Sequence, residues 1–282
     1  MLLAGIATMA GCASGGDRAT QPPGSISSSA TAMSTGASAP STGDASSASE
    51  TASPTNAATP LDEEAILKYL TATVSFTDPG KMREGLALTA EGSIAYGLLK
   101  HRADATEAGL DGGFPYEDGT VKAAGQNYKT CLSPSHSDSC ATYSDFTANS
   151  DGKIVGFKID GTYGDPANFI SKTGKSVTNN GVTVTLQSAR YSDLENVSTF
   201  VLKVETSKDD ITINSMSSTY RTTSGKQRQP NETYGPTDLT ADSNAMVNIL
   251  VPGVKLGGTL ALSGCVDDCT RQFEVTIPIT SK

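Results

Sequence analysis

Residues 13–60 constrain the fold most, because they consist almost entirely of Ser, Ala, Thr, Gly and Pro. Side chains this small bury too little apolar area to offset the entropy that is lost on ordering. We therefore predict that this stretch, together with Cys12, forms a disordered tether over residues 12–60. A flexible coil of this length has a root-mean-square span of about 40 Å. The folded part of the chain is expected to begin at residue 61.

A short apolar stretch precedes the tether and ends in Met9-Ala10-Gly11-Cys12. It is too short to span a bilayer, and its small residues before a cysteine suit a signal peptidase. The stretch resembles the lipobox of bacterial lipoproteins, with Met9 where Leu is usual. The resemblance implies a signal peptide over residues 1–11 and acyl chains, such as palmitate, on Cys12. The protein would then be lipid-anchored to the cell membrane on its extracytoplasmic face.

The alternative interpretation of the same stretch is an ordinary secretory signal with a chance cysteine. Residues 1–8 contain no Lys or Arg, although signal peptides usually begin with positive charge. We therefore expect the natural start codon to lie upstream of Met1.

Composition limits the classes of partner. The net charge is -9 and no basic cluster occurs, which argues against nucleic acid. Trp is absent and aromatic residues make up 6% of the chain, which weakens a carbohydrate-binding interpretation. The remaining partners are the membrane through Cys12, an envelope protein, the cell wall or a small apolar ligand.

Four further cysteines are present: Cys131, Cys140, Cys265 and Cys269. An even number in an exported chain indicates two disulfides, and four cysteines allow three pairings. The local pairs Cys131–Cys140 and Cys265–Cys269 are favoured, because each lies inside one predicted domain and flanks a polar turn. A metal site of four thiolates is the alternative, but the spacings do not match paired knuckles.

Residues 61–165 change from a helical to a strand pattern. A first helix is predicted to start with Thr59 as its N-cap and Pro60 as its first residue, a second helix at Asp78-Pro79 and a third at Thr89. Short strands are predicted after the third helix, over residues 121–123, 128–132, 140–146 and 153–159. Three helices followed by antiparallel strands predict an α+β domain.

This order of elements resembles the nuclear-transport-factor-like or SnoaL-like cone, in which a curved sheet wraps around helices. The stretch from Tyr143 to Phe157 is similar to the last hairpin of such domains. Enzymes of this fold usually place Asp, His or Tyr inside the cone, so the resemblance implies Tyr143, Asp145 and His101 as candidate pocket residues. Each of the three could instead have a purely structural or solvent-exposed role. His136 is expected in an exposed loop.

Residues 176–282 carry only strand signals, about seven short runs separated by turns, which predicts a β-sandwich. The runs 181–185, 200–204 and 251–260 resemble immunoglobulin-like modules that follow lipoprotein tethers, including those of actinobacterial secreted antigens. The resemblance implies a binding or spacing role. Asp267-Asp268 and Asp209-Asp210 could hold Ca²⁺, but adjacent carboxylates are more often solvated turns.

Each partial match to a catalytic motif lacks a feature that the motif requires. Ser150 to Lys153 and Lys172 to Gly174 match fragments of penicillin-binding enzymes, but the serine falls in a predicted hairpin turn instead of at the start of a buried helix. Gly174 to Ser176 ends like a phosphate loop, yet Phe169 stands where its first glycine is required. We therefore expect no cofactor and no metal.

The sequence thus favours a non-catalytic binding module at the cell envelope. Two alternatives remain open. One is a small-molecule lyase or isomerase that uses a pocket in residues 61–165, and the other is a mechanical spacer.

Overall fold

The computed structural model describes residues 61–132 and 140–280. Of these residues, 43% lie in strands and 21% in helical turns. The predicted signal peptide, Cys12, the tether, Thr59, Pro60 and His136 lie outside the described residues. No helix in the described part is long and apolar enough to cross a membrane.

Three α-helices lie at the start of the described part. Each has a polar cap whose side chain accepts a hydrogen bond from a backbone N–H of the first turn, namely Asp62, Asp78 and Ser93. Such caps satisfy N–H groups that have no partner within the helix. The helices are α1 (Glu63–Thr73), α2 (Pro79–Glu84) and α3 (Ile94–Asp111).

The strands that follow form three antiparallel sheets. The first sheet has the order β1-β2-β3-β4-β5. Its strands are β1 (Thr120–Ala124), β2 (Asn127–Cys131), β3 (Cys140–Ala148), β4 (Ile154–Ile159) and β5 (Thr162–Tyr163).

Twelve more strands form the second and third sheets. These strands are β6 (Phe169–Ile170), β7 (Val177–Asn179), β8 (Val182–Ser192), β9 (Val197–Thr206), β10 (Ile211–Ile213), β11 (Thr219–Arg221), β12 (Gln227–Arg228), β13 (Glu232–Tyr234), β14 (Asp238–Leu239), β15 (Asn244–Pro252), β16 (Thr259–Val266) and β17 (Arg271–Pro278). The second sheet has the order β13-β15-β9-β8-β6, with β7 also on β8. The third has the order β12-β11-β16-β10-β14, with β17 also on β16.

The second and third sheets pack face to face around one apolar core. Phe200 and Leu202 of the second sheet and Leu260, Leu262 and Val275 of the third belong to the same buried cluster. Alternate residues of each strand supply this core, as the period of two requires. The β-sandwich predicted for this region is therefore confirmed at the level of architecture.

Helix α3 crosses the outer face of the second sheet, from β6 to β15. Near its start, a Cβ placed on Gly97 would come within 3.0 Å of Phe169 in β6. Near its end, Ala108 packs with Val201 of β9 and Met246 of β15. The helix approaches closely because its residues at the contact are small. Both faces of this sheet are thus covered.

The other side of α3 packs on the first sheet. Leu98 and Leu99 share a buried cluster with Ile154 and Phe157 of β4 and with Leu70 of α1. Helix α3 therefore lies between the first sheet and the second, and all of these elements fall in one compact unit.

The prediction of an α+β fold, made of a cone and a separate immunoglobulin-like sandwich, is wrong. The described chain is mostly β, with three antiparallel sheets and three helices. The physical reason lies in α3, whose two apolar sides face two different sheets instead of one wrapped sheet. The sequence pattern of α3 indicates a helix with buried sides but not the identity of the surface that buries each side.

Replacing Val201 by Ala should weaken the contact between α3 and the second sheet. Val201 is fully buried, and the lost methyl groups should lower the free energy of unfolding by about 1–3 kcal/mol. Urea denaturation followed by circular dichroism measures this change. Met216→Ala, at a side chain that is 63% exposed, serves as the control and should change it by about 0.5 kcal/mol or less. Equal effects of the two variants would contradict the packing described.

Candidate functional site

His101 lies in the contact between α3 and β8. It is 5% exposed, and its Nδ1 lies 3.1 Å from the hydroxyl oxygen of Ser188. Burial lowers the pKa of His101 to about 3, and the nearby cations Arg190, Lys100 and Arg102 add to the effect. The imidazole is therefore neutral at physiological pH and held by a structural hydrogen bond.

Tyr143 lies on β3 in the apolar cluster beneath α3. Its side chain is 1% exposed, and its ring centroid lies 5.2 Å from that of Phe157. Tyr69, which belongs to the same cluster, donates a 3.0 Å hydrogen bond from its hydroxyl to the carbonyl of Ala95. The hydroxyl of Tyr143 makes no hydrogen bond within the described part of the chain.

Asp145 is placed quite differently, on the surface. It has a positive φ of 50° where the pairing of β3 with β4 is irregular. Its carboxylate forms a 2.7 Å ion pair with Lys158. The three predicted pocket residues thus occupy three environments, and no hydrogen bond or ion pair joins any two of them.

A residue that the sequence reasoning missed lies near His101. Arg190, on β8, is one of the cations that help to lower the pKa of His101. One feature of the sequence could have drawn attention to Arg190, since it is the single charged residue of the strand Val182–Ser192. Recognising it would have required knowing that α3 covers this face of the sheet.

The structure has open, polar clefts on the sandwich. One, of about 390 Å³, is lined by Thr183, Glu205 and Asp242 among other polar residues. Another, of about 410 Å³, is lined by Asn214, Ser217 and Glu274 with their neighbours. Neither of these two clefts contains a predicted pocket residue.

Both predicted disulfides are present. Cys131–Cys140 joins two directly paired residues of β2 and β3, and Cys265–Cys269 closes the turn between β16 and β17. The alternative of a four-thiolate metal site is therefore wrong.

Two of the four carboxylates considered for Ca²⁺ form ion pairs instead. Asp209 and Asp267 both pair with Arg271, at 2.7 and 2.6 Å. In the described ranges, no three ligating side chains come together as a metal cluster.

Four aromatic side chains form a partly exposed row beside the end of α3, which we call the aromatic strip. Its members, in spatial order, are Tyr234, Phe114, Tyr116 and Phe76. Successive ring centroids lie 6.0, 4.8 and 6.2 Å apart. Tyr116 can pack on α3 because Gly109 has no side chain at the point of contact.

Carboxylates border the aromatic strip. Glu232 accepts a 2.8 Å hydrogen bond from the hydroxyl of Tyr234, and Asp118 accepts 2.8 Å bonds from the N–H and hydroxyl of Thr77. Asp111 accepts a bond from the N–H of Met246 at 3.2 Å. Neither Asp111, Asp118 nor Glu232 forms an ion pair with a described residue, so these three charges remain uncompensated there. At the other end, the guanidinium of Arg102 lies 5.7 Å from the ring centroid of Phe76.

Comparison with known proteins gives no family. No family model matches the chain, and no curated protein matches it. Among solved structures, a functionally unknown protein from Listeria monocytogenes EGD-e is 12% identical, and the match covers 40% of this chain and 85% of that one. The TM-score is 0.29, which is too low to carry an argument.

The buried, neutral His101 predicts a specific dependence of stability on pH. Between pH 6.5 and about 3, the unfolded chain binds a proton at this residue that the folded chain does not bind. Its contribution to stability is therefore complete above pH 6.5 and is lost as the pH falls, by at most about 1.4 kcal/mol per pH unit.

His101→Gln removes this titration. Comparing the variant with the natural chain therefore separates the contribution of His101 from those of the carboxylates, which titrate in the same pH range. Urea denaturation at pH 7.0 and at pH 5.0 should show a smaller loss of unfolding free energy for the variant than for the natural chain. An equal loss in the two proteins would mean that His101 is accessible and titrates normally.

Proposed function

We propose that the chain is a lipoprotein of the bacterial cell envelope, anchored through Cys12, whose folded part binds another envelope protein without catalysing a reaction. The apolar stretch that ends in Met9-Ala10-Gly11-Cys12 supports the anchor, and the Ser/Ala/Thr-rich tether supports a folded part held away from the membrane. The two disulfides are consistent with an oxidising compartment.

The aromatic strip is the observation that carries the binding proposal. Phe114 is 37% exposed, and its ring lies between those of Tyr116 and Tyr234 instead of in the core. Aromatic side chains dominate the energetics of protein interfaces because they bury large areas at little entropic cost.

The charge around the strip indicates the kind of partner. The carboxylates of Asp111, Asp118 and Glu232 give this surface a negative border, and aromatic faces attract cations. We therefore expect the partner to present Lys or Arg side chains. Cell-wall glycan is the other envelope component that such rings could contact.

The lyase or isomerase alternative receives no support from the positions of its candidate residues. It requires an acid and a base in one cavity. His101 is held by Ser188, Tyr143 is buried in an apolar cluster and Asp145 pairs with Lys158 on the surface.

Replacing Cys12 by Ser tests the anchor. In a bacterial host that processes lipoproteins, the natural chain should partition into the detergent phase of Triton X-114, and the Cys12→Ser chain into the aqueous phase. Ser14→Ala, two residues away, is the matched control and should leave the partition unchanged. An ordinary secretory signal predicts that the natural chain is aqueous as well, which would contradict the lipoprotein proposal.

A photo-crosslinking residue in place of Phe114 tests the partner surface. In intact cells, it should give a discrete protein adduct, and the adduct should weaken when Glu232→Gln and Asp118→Asn remove two negative charges. The same crosslinker in place of Met216, which is more exposed but lies outside the strip, is the control. Equal labelling at the two positions would contradict the proposal, and an adduct with glycan would redirect it to the cell wall.

A further inference from the structure

Strand β17 forms one edge of the third sheet. It pairs with β16 along its whole length, antiparallel and without a bulge. No other described strand pairs with β17, so its second side is open in the described part of the chain. The other edge strands of the sandwich have two or three residues each, whereas β17 has eight. A long, regular edge with unpaired backbone groups is a template on which a further strand can pair.

The neighbouring hydrogen bonds show which backbone groups of β17 face the open side. In an antiparallel pair, residues that bond to the partner strand alternate with residues whose N–H and C=O point away from it. Ile279 donates to the carbonyl of Gly258 at 2.8 Å, which fixes this alternation. Ser263 of β16 lies opposite Glu274 and bonds away from β17, since its carbonyl accepts from Asn214 at 2.9 Å. The N–H and C=O of Glu274 therefore point to the open side.

Four exposed residues of β17 share this outward orientation: Gln272, Glu274, Thr276 and Pro278. The carbonyl of Gln272 already accepts a 2.7 Å hydrogen bond from the side chain of Asn180, and Pro278 has no N–H. The remaining outward donors are the N–H groups of Gln272, Glu274 and Thr276, and the remaining acceptors are the carbonyls of Glu274, Thr276 and Pro278. None of these groups has a hydrogen-bond partner among the described residues.

We propose that the chain forms a two-fold dimer in which β17 of one copy pairs antiparallel with β17 of a second copy. One register places Glu274 opposite Thr276 of the second copy, and Gln272 opposite Pro278. The three free donors of each copy then meet the three free acceptors of the other. The absent donor, at Pro278, lies opposite the carbonyl that Asn180 already occupies, at Gln272. The edge is thus complementary to itself.

Other two-fold registers do not match the edge in this way. If Glu274 lay opposite Glu274 of the second copy, two carboxylates would face each other, which destabilises a strand pair. If Thr276 lay opposite Thr276, Glu274 would face Pro278, which has no N–H for the Glu274 carbonyl. The pattern of donors and acceptors therefore favours a second copy of this chain, in one register, as the occupant of the edge.

The proposed dimer contact is separate from the aromatic strip. Strand β17 belongs to the third sheet, whereas Tyr234 of the strip lies on β13 in the second sheet. The dimer requires neither the lipid anchor nor another envelope protein. This proposal and the proposed function can therefore fail separately.

Sedimentation velocity over a wide range of concentrations tests the dimer. The sample is the full chain with Cys12→Ser, which removes the proposed site of acylation, and we expect a reversible equilibrium between monomer and dimer. Thr276→Pro should raise the dissociation constant by about thirtyfold, because each copy loses one hydrogen bond across the contact. The N–H of residue 276 points away from β16, so an edge proline leaves that pairing in place. Thr276→Ala keeps the N–H and should leave the constant unchanged.

Two charge variants test the register. Thr276→Glu should weaken the dimer and Thr276→Lys should strengthen it, each by about threefold, because the new charge lies opposite Glu274 of the second copy. Position 276 is exposed, so both variants keep the test decisive even if Thr276→Pro fails to fold.

Three results would overturn the proposal. They are a monomer at every concentration, a dimer that folded Thr276→Pro does not weaken, and equal effects of the two charges. Loss of the dimer on Phe114→Ala would overturn it as well, because the aromatic strip would then be the surface of self-association.

Discussion

The packing of α3 against the outer face of the second sheet is the contact on which the rest of the structure depends. A two-sheet sandwich buries the inner face of each sheet and leaves the outer faces to solvent. Here one outer face is covered, and small residues such as Gly97 and Ala108 let the helix backbone approach it closely. The opposite side of α3 then packs on the first sheet, which ties the helical region to the sandwich within one compact unit.

This contact also positions the aromatic strip. The aromatic strip begins where α3 ends, since Phe114 and Tyr116 follow the helix directly and meet Tyr234 of β13.

Local features could be predicted from the sequence, whereas the packing of the helices and sheets on one another could not. The third helix, the sandwich strands and both disulfides follow from local patterns of apolar residues, turns and cysteines. The cone was wrong because the pattern of α3 indicates buried sides without identifying the surface that buries each of them. Arg190 was missed for the same reason, since its burial depends on a helix about 90 residues earlier in the chain. His101 was recognised as a candidate, but its hydrogen bond to Ser188 connects residues far apart in sequence.

Native-state hydrogen exchange is the most direct test of the account. If α3 and the second sheet form one cooperative unit, the slowest amides of α3 and those of β9 should open with the same free energy and the same dependence on denaturant. Exchange of α3 at a clearly lower free energy, while β9 stays protected, would show that the helical region unfolds by itself. The contact that positions the aromatic strip would then be too weak to hold it in place.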